Sequence, residues 1–202
     1  MLANQSIINA LATQGYCVID QALEPSLAQA LWQVAFDFQN DFSRAGIGRG
    51  DDHQLASNIR RDEISWIQGD TQATRQLMQA MQALQSDLNK YAYLGLKRFE
   101  AHYAHYPPGG FYKKHLDAFR GQSNRVVTLV YYLNPNWQPE HGGCLRLYDE
   151  TDQFLLDIEP TFNRLVIFMS EEFPHEVLPT HQDRYSIAGW FRTDQLDALL
   201  GQ

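Results

Sequence analysis

Two side chains able to do chemistry, His115 and Asp117, stand one residue apart in the stretch Phe-Tyr-Lys-Lys-His-Leu-Asp, 111–117. In an extended strand, residues two apart point to the same face, so this imidazole and this carboxylate would converge. A neutral imidazole nitrogen and a carboxylate oxygen are two of the three ligands in the 2-His-1-carboxylate arrangement that holds non-heme Fe(II). The third ligand is expected to be a histidine on a strand that returns beside this one, and His175 in Phe-Pro-His-Glu-Val is the best placed. Nine residues further on, Arg184 opens the alternating run Arg-Tyr-Ser-Ile-Ala-Gly-Trp-Phe-Arg, which would aim a guanidinium into the same cavity. A buried arginine is costly unless paired. No obvious partner stands near it in the sequence, so an incoming carboxylate is the expected one, gripped in a fork that lysine cannot reproduce. The alternative for Arg184 is a structural ion pair. Tyr132, in Val-Tyr-Tyr-Leu-Asn, would add a hydroxyl from a neighbouring strand, with Tyr131 facing the other way.

The other five histidines read differently. His102 and His105, three apart on a strand, fall on opposite faces and are taken as structural; His53, His141 and His181 lie in polar turns and are expected to be solvated.

These residues need elements to hold them. Residues 5–14 read as a short helix ended by Gly15, 16–19 as a strand, and 24–42 as a helix with Leu27, Leu31, Val34, Ala35 and Phe38 at helical spacing. Residues 43–62 break the pattern, and Gly46, Gly48 and Gly50 suggest a mobile loop, either a solvated connection or a lid over substrate. A strand at 63–67 and a helix at 71–92, with Leu77, Met78, Met81, Leu84 and Leu88 on one face, follow. From Lys97 the period changes to two, with strands expected at 97–106, 111–117, 124–133, 143–148, 154–158, 164–169, 175–178 and 184–192, and a short terminal helix at 194–200. Eight short strands between Pro, Gly, Asn and Asp turns imply a sandwich or small barrel. Helices first and strands second make one α+β domain, with the helices on one face of the sandwich. Residues 1–95 are read as helical support containing the loop region 43–67, and 96–194 as the core.

The chain has 202 residues, 44% of them hydrophobic and 20% charged, as expected of a globular domain with a sizeable core. A net charge of −8 argues against nucleic acid, whose phosphates need clustered Lys and Arg, and against an anionic membrane surface. Cys17 and Cys144 are too few for a disulfide framework and are read as small buried hydrophobes. No basic stretch followed by an apolar one opens the chain, and no apolar run approaches the ~20 residues of a membrane span. The cytoplasm is the expected compartment.

Several segments, in order, resemble the Fe(II)- and 2-oxoglutarate-dependent oxygenases, and within them the prolyl 4-hydroxylase branch. The nearer likeness is to the hypoxia-inducible-factor prolyl hydroxylases and their bacterial relatives. The likeness is carried by Asn-Ile-Arg-Arg-Asp-Glu-Ile-Ser-Trp-Ile (58–67), Tyr106-Pro107, His115-Leu-Asp117, Val-Tyr-Tyr-Leu-Asn-Pro-Asn-Trp (130–137) and Gly142-Gly143-Cys-Leu-Arg-Leu. It continues through Ile158-Glu-Pro, Arg164-Leu-Val-Ile-Phe and Pro174-His175-Glu-Val to Arg184-Tyr-Ser-Ile-Ala-Gly-Trp190.

The resemblance implies a double-stranded β-helix, or jelly roll, with His115, Asp117 and His175 on iron. It implies that Arg184 and Tyr132 hold the distal carboxylate of 2-oxoglutarate, with Tyr106 near the chelated end. Arg60 and Asp62 would stand at the base of a substrate-covering loop, and Trp190 would line the substrate side. Two departures from the animal enzymes are Ala118-Phe119 in place of Asn-Pro and Ala188 in place of a threonine; neither removes a ligand. The implied reaction is 4-hydroxylation of a prolyl residue in a protein, using O2 and releasing succinate and CO2, with ascorbate (vitamin C) as an optional auxiliary. The bacterial relatives suggest elongation factor Tu as partner. The alternatives are a related oxygenase acting on a small molecule or another side chain, and a non-catalytic iron- or 2-oxoglutarate-binding module.

Overall fold

The change of period near Lys97 marks where the helical layer gives way to sheet. The computed structural model describes residues 4–37, 42–45, 58–118 and 124–193. Its elements run α1 (Asn4–Gln14), β1 (Tyr16–Ile19), α2 (Pro25–Asp37), β2 (Ser43–Arg44), β3 (Glu63–Trp66), α3 (Gln72–Ala92) and β4 (Arg98–Tyr106). They continue as β5 (Tyr112–His115), β6 (Arg125–Tyr132), β7 (Leu145–Tyr148), β8 (Phe154–Ile158), β9 (Leu165–Met169), β10 (His175–Val177) and β11 (Arg184–Arg192). A large sheet has the order β1-β9-β6-β11-β4-β3-β2 and a small one the order β5-β10-β7-β8, with every pairing antiparallel. This is the expected α+β jelly roll.

The eight core strands all form. Strand β5 ends at His115 instead of running to 117, and the 43–62 stretch contains the two-residue strand β2 and an antiparallel bridge from Arg60 to Tyr112. Residues 46–57, which include His53, and the terminal helix expected at 194–200 lie outside the described residues, as do 38–41 at the end of the expected 24–42 helix.

Strand alternation sorts side chains between two cores. On β4 and β11, Ala101, Tyr103, Ile187 and Phe191 face the helices, where Leu77, Met81, Leu84 and Leu88 of α3 and Leu31 of α2 are buried against them. Met78, expected on the same stripe, is half-buried. The helix α3 starts cleanly because Thr71 caps it: its hydroxyl accepts from Thr74 N at 3.1 Å while Thr74 returns a bond to Thr71 N. The opposite face of the large sheet, with Ala104, Tyr106, Val130, Tyr132, Val166 and Phe168, meets Leu145, Leu147, Ile158 and Val177 of the small sheet. The site lies on this second, inter-sheet side.

Buried Asn134, just past β6, fixes where β11 begins. Its Oδ1 accepts from Tyr185 N at 2.7 Å, and its Nδ2 donates to Tyr185 O at 3.0 Å and Pro160 O at 2.7 Å. Holding both backbone groups of Tyr185 places the adjacent Arg184. Asn134→Ala would leave Tyr185 N and Pro160 O without this partner, and we expect a loss of about 3 kcal/mol. A urea titration that shifts its midpoint without changing slope would confirm this.

Candidate active site

His115 and His175 are direct partners across the β5–β10 pairing, His115 closing one strand and His175 opening the other. Their ring centres lie 4.3 Å apart. Each ring is oriented by a carbonyl two residues earlier: His115 Nδ1 lies 2.8 Å from Lys113 O, and His175 Nδ1 lies 3.0 Å from Phe173 O. A carbonyl only accepts, so both Nδ1 atoms carry the proton and both Nε2 lone pairs face inward.

Asp117 completes the group from just beyond β5, in a bend. The strand-alternation argument for bringing it beside His115 is therefore corrected. What places Asp117 is Thr128 of β6, whose hydroxyl donates to Asp117 Oδ2 at 2.9 Å. Ser170 Oγ lies 2.9 Å from that hydroxyl. With its own proton committed to the carboxylate, Thr128 can only accept from Ser170, so a chain of donors runs Ser170 to Thr128 to Asp117. Asp117 Oδ1 is 3.7 Å from His115 Nε2, and Oδ2 is 3.6 Å from His175 Nε2. The ligand atoms of all three residues lie within 4.8 Å of one another, close enough to hold one metal ion.

Burial, reinforced by His175, holds the His115 imidazolium form down. Burial works the other way on Asp117, but His175, His115, the Trp190 indole and Arg125 together keep its carboxyl below the usual range. A carboxylate beside lone pairs of two imidazoles is the donor set of a divalent cation.

Arg184 and Tyr132 share a second recess. Arg184 is buried, with Nε donating to Gly143 O at 2.8 Å and Nη1 to Ser186 Oγ at 3.4 Å. It makes no ion pair with any carboxylate among the described residues, and its Nη2 and the Tyr132 hydroxyl are both buried without a hydrogen-bond partner. The structural ion pair weighed for Arg184 is thus absent among the described residues. Its guanidinium lies 5.0 Å from the centre of the Tyr106 ring and 5.1 Å from that of Tyr132. Gly143 makes room for it: at φ +66°, a Cβ there would come within 3.0 Å of Arg184 Cδ. An uncompensated guanidinium nitrogen and a buried phenol converging on one recess fit a carboxylate.

The base of the 43–62 stretch reaches the metal ligands through stacked rings. Arg60 grips buried Asp62 with two bonds of 2.7 and 2.6 Å, and its guanidinium lies 4.3 Å over the Tyr112 ring. Tyr112 in turn stacks on His115 at 3.7 Å and 18°. On the other side, Trp190 is buried on β11 with the Arg125 guanidinium 3.7 Å from its ring centre.

Thr128, Ser170, Tyr112 and Arg125 were not singled out in the sequence. Thr128 left a trace, as a hydroxyl inside Arg-Val-Val-Thr-Leu-Val; the others left none, because their roles depend on pairing across strands. His141 is more engaged than expected, its Nδ1 accepting from Gln138 N at 3.1 Å in a 3₁₀ turn, while His181 is exposed in a bend as expected. Cys17 and Cys144 are half-buried instead of fully buried, and both are free thiols.

A jelly roll with two histidines and an aspartate converging between its sheets defines the class of non-heme iron oxygenases. The 2OG-Fe(II) oxygenase superfamily matches residues 101–192. The chain is 31% identical to human prolyl hydroxylase EGLN3, over 94% of this chain and 83% of that protein. A Pseudomonas putida prolyl-4-hydroxylase superposes with a TM-score of 0.85 at 38% identity, covering 94% of this chain and 98% of that one. A Trichoplax adhaerens prolyl hydroxylase, solved with a hypoxia inducible factor oxygen degradation domain peptide fragment, gives 0.87 at 32%, covering 98% and 93%. The chain belongs to the prolyl hydroxylases of the 2OG-Fe(II) oxygenase superfamily.

Thr128→Val keeps the shape and removes the donor to Asp117. Loss of such an outer partner typically costs 10- to 100-fold in metal affinity, and we expect about tenfold here. Anaerobic Mn(II) titration, read by electron paramagnetic resonance, measures it.

Proposed function

We propose that this protein is an Fe(II)- and 2-oxoglutarate-dependent dioxygenase that hydroxylates a prolyl residue, at the 4-position, in a protein substrate. The observation that carries this reading is the unsatisfied Arg184–Tyr132 recess between the same two sheets as the His115–Asp117–His175 cluster. The first calls for a carboxylate and the second for a metal ion, and 2-oxoglutarate joins the two demands in one molecule.

In this reading His115 Nε2, His175 Nε2 and an Asp117 oxygen ligate iron. These three side chains would hold the Fe(II) that a reaction with 2-oxoglutarate and O2 requires. When bound, the metal supplies the oxygen activation that couples decarboxylation of 2-oxoglutarate, with release of succinate and CO2, to insertion of one oxygen atom into a C–H bond. The protein's part is placement. Arg184 and Tyr132 orient the distal carboxylate, and Tyr106 closes the recess beside them. Thr128 and Ser170 fix the Asp117 carboxylate, while the Lys113 and Phe173 carbonyls fix both imidazole tautomers. Arg60 and Asp62 anchor the base of the substrate-covering loop. Trp190 lines the substrate side. Residues 1–95 serve as support, including the loop region 43–67, and residues 96–194 carry the chemistry.

Elongation factor Tu is the finer candidate for the protein substrate, supported by the likeness to bacterial relatives; incubation with the protein and mass mapping of its prolines tests it. No described helix is long and apolar enough to cross a membrane. We place the protein in the cytoplasm and expect ascorbate to sustain turnover.

The deciding experiment is an anaerobic titration with Fe(II) and 2-oxoglutarate, followed by the visible metal-to-ligand charge-transfer band. The band should form in the wild type. Asp117→Ala should abolish succinate formation, and normal turnover in that variant would remove Asp117 from the ligand set. Arg184→Lys replaces a fork by a point charge and should raise the 2-oxoglutarate requirement by the equivalent of about 1–3 kcal/mol. An unchanged requirement would exclude Arg184 as the clamp.

A further inference from the structure

His102 has no place in the chemistry described so far, yet it lies on the inter-sheet face of the large sheet. Its strand neighbours on that face, Ala104 and Tyr106, belong to the inter-sheet core. Its ring packs between two tryptophans, with centres 5.0 Å from Trp66 and 5.4 Å from Trp190. Trp66 is 49% exposed, while His102 and Trp190 are 5% and 7% exposed, so the three rings form a wall leading inward from solvent. Asp117 at the metal site acts electrostatically on His102, as do Arg60 and Arg125.

His102 Nδ1 is buried and has no hydrogen-bond partner. An orphaned buried nitrogen costs about 1–3 kcal/mol, and native proteins rarely leave one without a use. Burial, with the charges of Arg60 and Arg125, pushes the imidazole pKa down to about 3, so the ring is neutral and carries one donor and one acceptor. A prolyl residue has no backbone N–H and offers main-chain recognition only through its carbonyl. Its apolar ring also suits an aromatic wall.

Resting on the prolyl hydroxylase reading above, we propose that His102 is a substrate-binding residue whose Nδ1–H donates to the backbone carbonyl of the target proline as that residue packs along Trp66 and Trp190. The hydrogen bond selects a prolyl residue within a peptide chain over a free aliphatic substrate.

The test starts from synthetic peptides, each with one central proline, screened with the Fe(II)- and 2-oxoglutarate-loaded wild type for the mass gain of one oxygen atom. A hydroxylated peptide is then labelled, and its binding to Mn(II)- and 2-oxoglutarate-loaded protein is measured under argon by fluorescence anisotropy. His102→Phe keeps an aromatic ring without the donor and should weaken the peptide about tenfold. His102→Asn, which places an amide N–H near the Nδ1 position, should recover most of that loss. Unchanged peptide affinity in a His102→Phe protein that still binds Mn(II) overturns the proposal. If that variant no longer binds Mn(II), the parent peptide is compared on wild-type protein with one whose prolyl carbonyl is replaced by methylene. Equal binding of the two again overturns it, and a tenfold loss that largely vanishes in an independent His102→Leu protein supports it. A wild type that hydroxylates none of the peptides removes the prolyl reading itself, and the role of His102 with it.

Discussion

The antiparallel opposition of His115 and His175 is the constraint on which the rest of the site depends. Both imidazoles come from the small sheet, each locked in one tautomer by the carbonyl two residues earlier, of Lys113 and Phe173. The carboxylate lies just past the end of β5 and is held by a hydroxyl of the large sheet, from Thr128. The cluster therefore has one anchor in each layer of the jelly roll, and its geometry is the geometry of inter-sheet packing. Close-packed layers move little relative to each other, so donor atoms fixed to both are pre-organised for a metal that tolerates little misplacement.

The same layering explains why the arginine recess is rigid. Arg184 opens β11 opposite Tyr106 of β4, and Ser186 pairs with Tyr132 of β6, so three adjacent strands contribute the guanidinium and both phenols. Gly143 lets the arginine stem pass, and Asn134 pins the neighbouring backbone. A guanidinium held from Nε and Nη1 but not from Nη2 has a directed vacancy in its hydrogen bonding, whereas a surface arginine would fill it with water.

Much of this was legible because alternation is a local property. The helical stripes of α2 and α3, the eight core strands and the inward aim of Arg184 follow from spacing alone. The order of the segments carried the family likeness. Asp117 shows where spacing stops being sufficient: the residue is correctly paired with His115, but for a reason that lies in β6. Thr128, Ser170 and Tyr112 acquire their roles only when strands distant in sequence are laid side by side, and no period reports which strands those are. His102 was legible as a strand residue and no further. That its nitrogen is buried and unpartnered depends on Trp66 and Trp190, which arrive from two other strands.

The stack from Asp62 through Arg60 and Tyr112 links the base of the 43–62 stretch to His115 by direct contact. Arg60 bonds Asp62 on one side and covers Tyr112 on the other, and Arg60 and Tyr112 also share an isolated antiparallel backbone bridge. A shift of the segment base would move the ring that supports His115. The Asp62–Arg60, Arg60–Tyr112 and Tyr112–His115 contacts thus make one packed unit, and a change at Asp62 is felt at His115 through it.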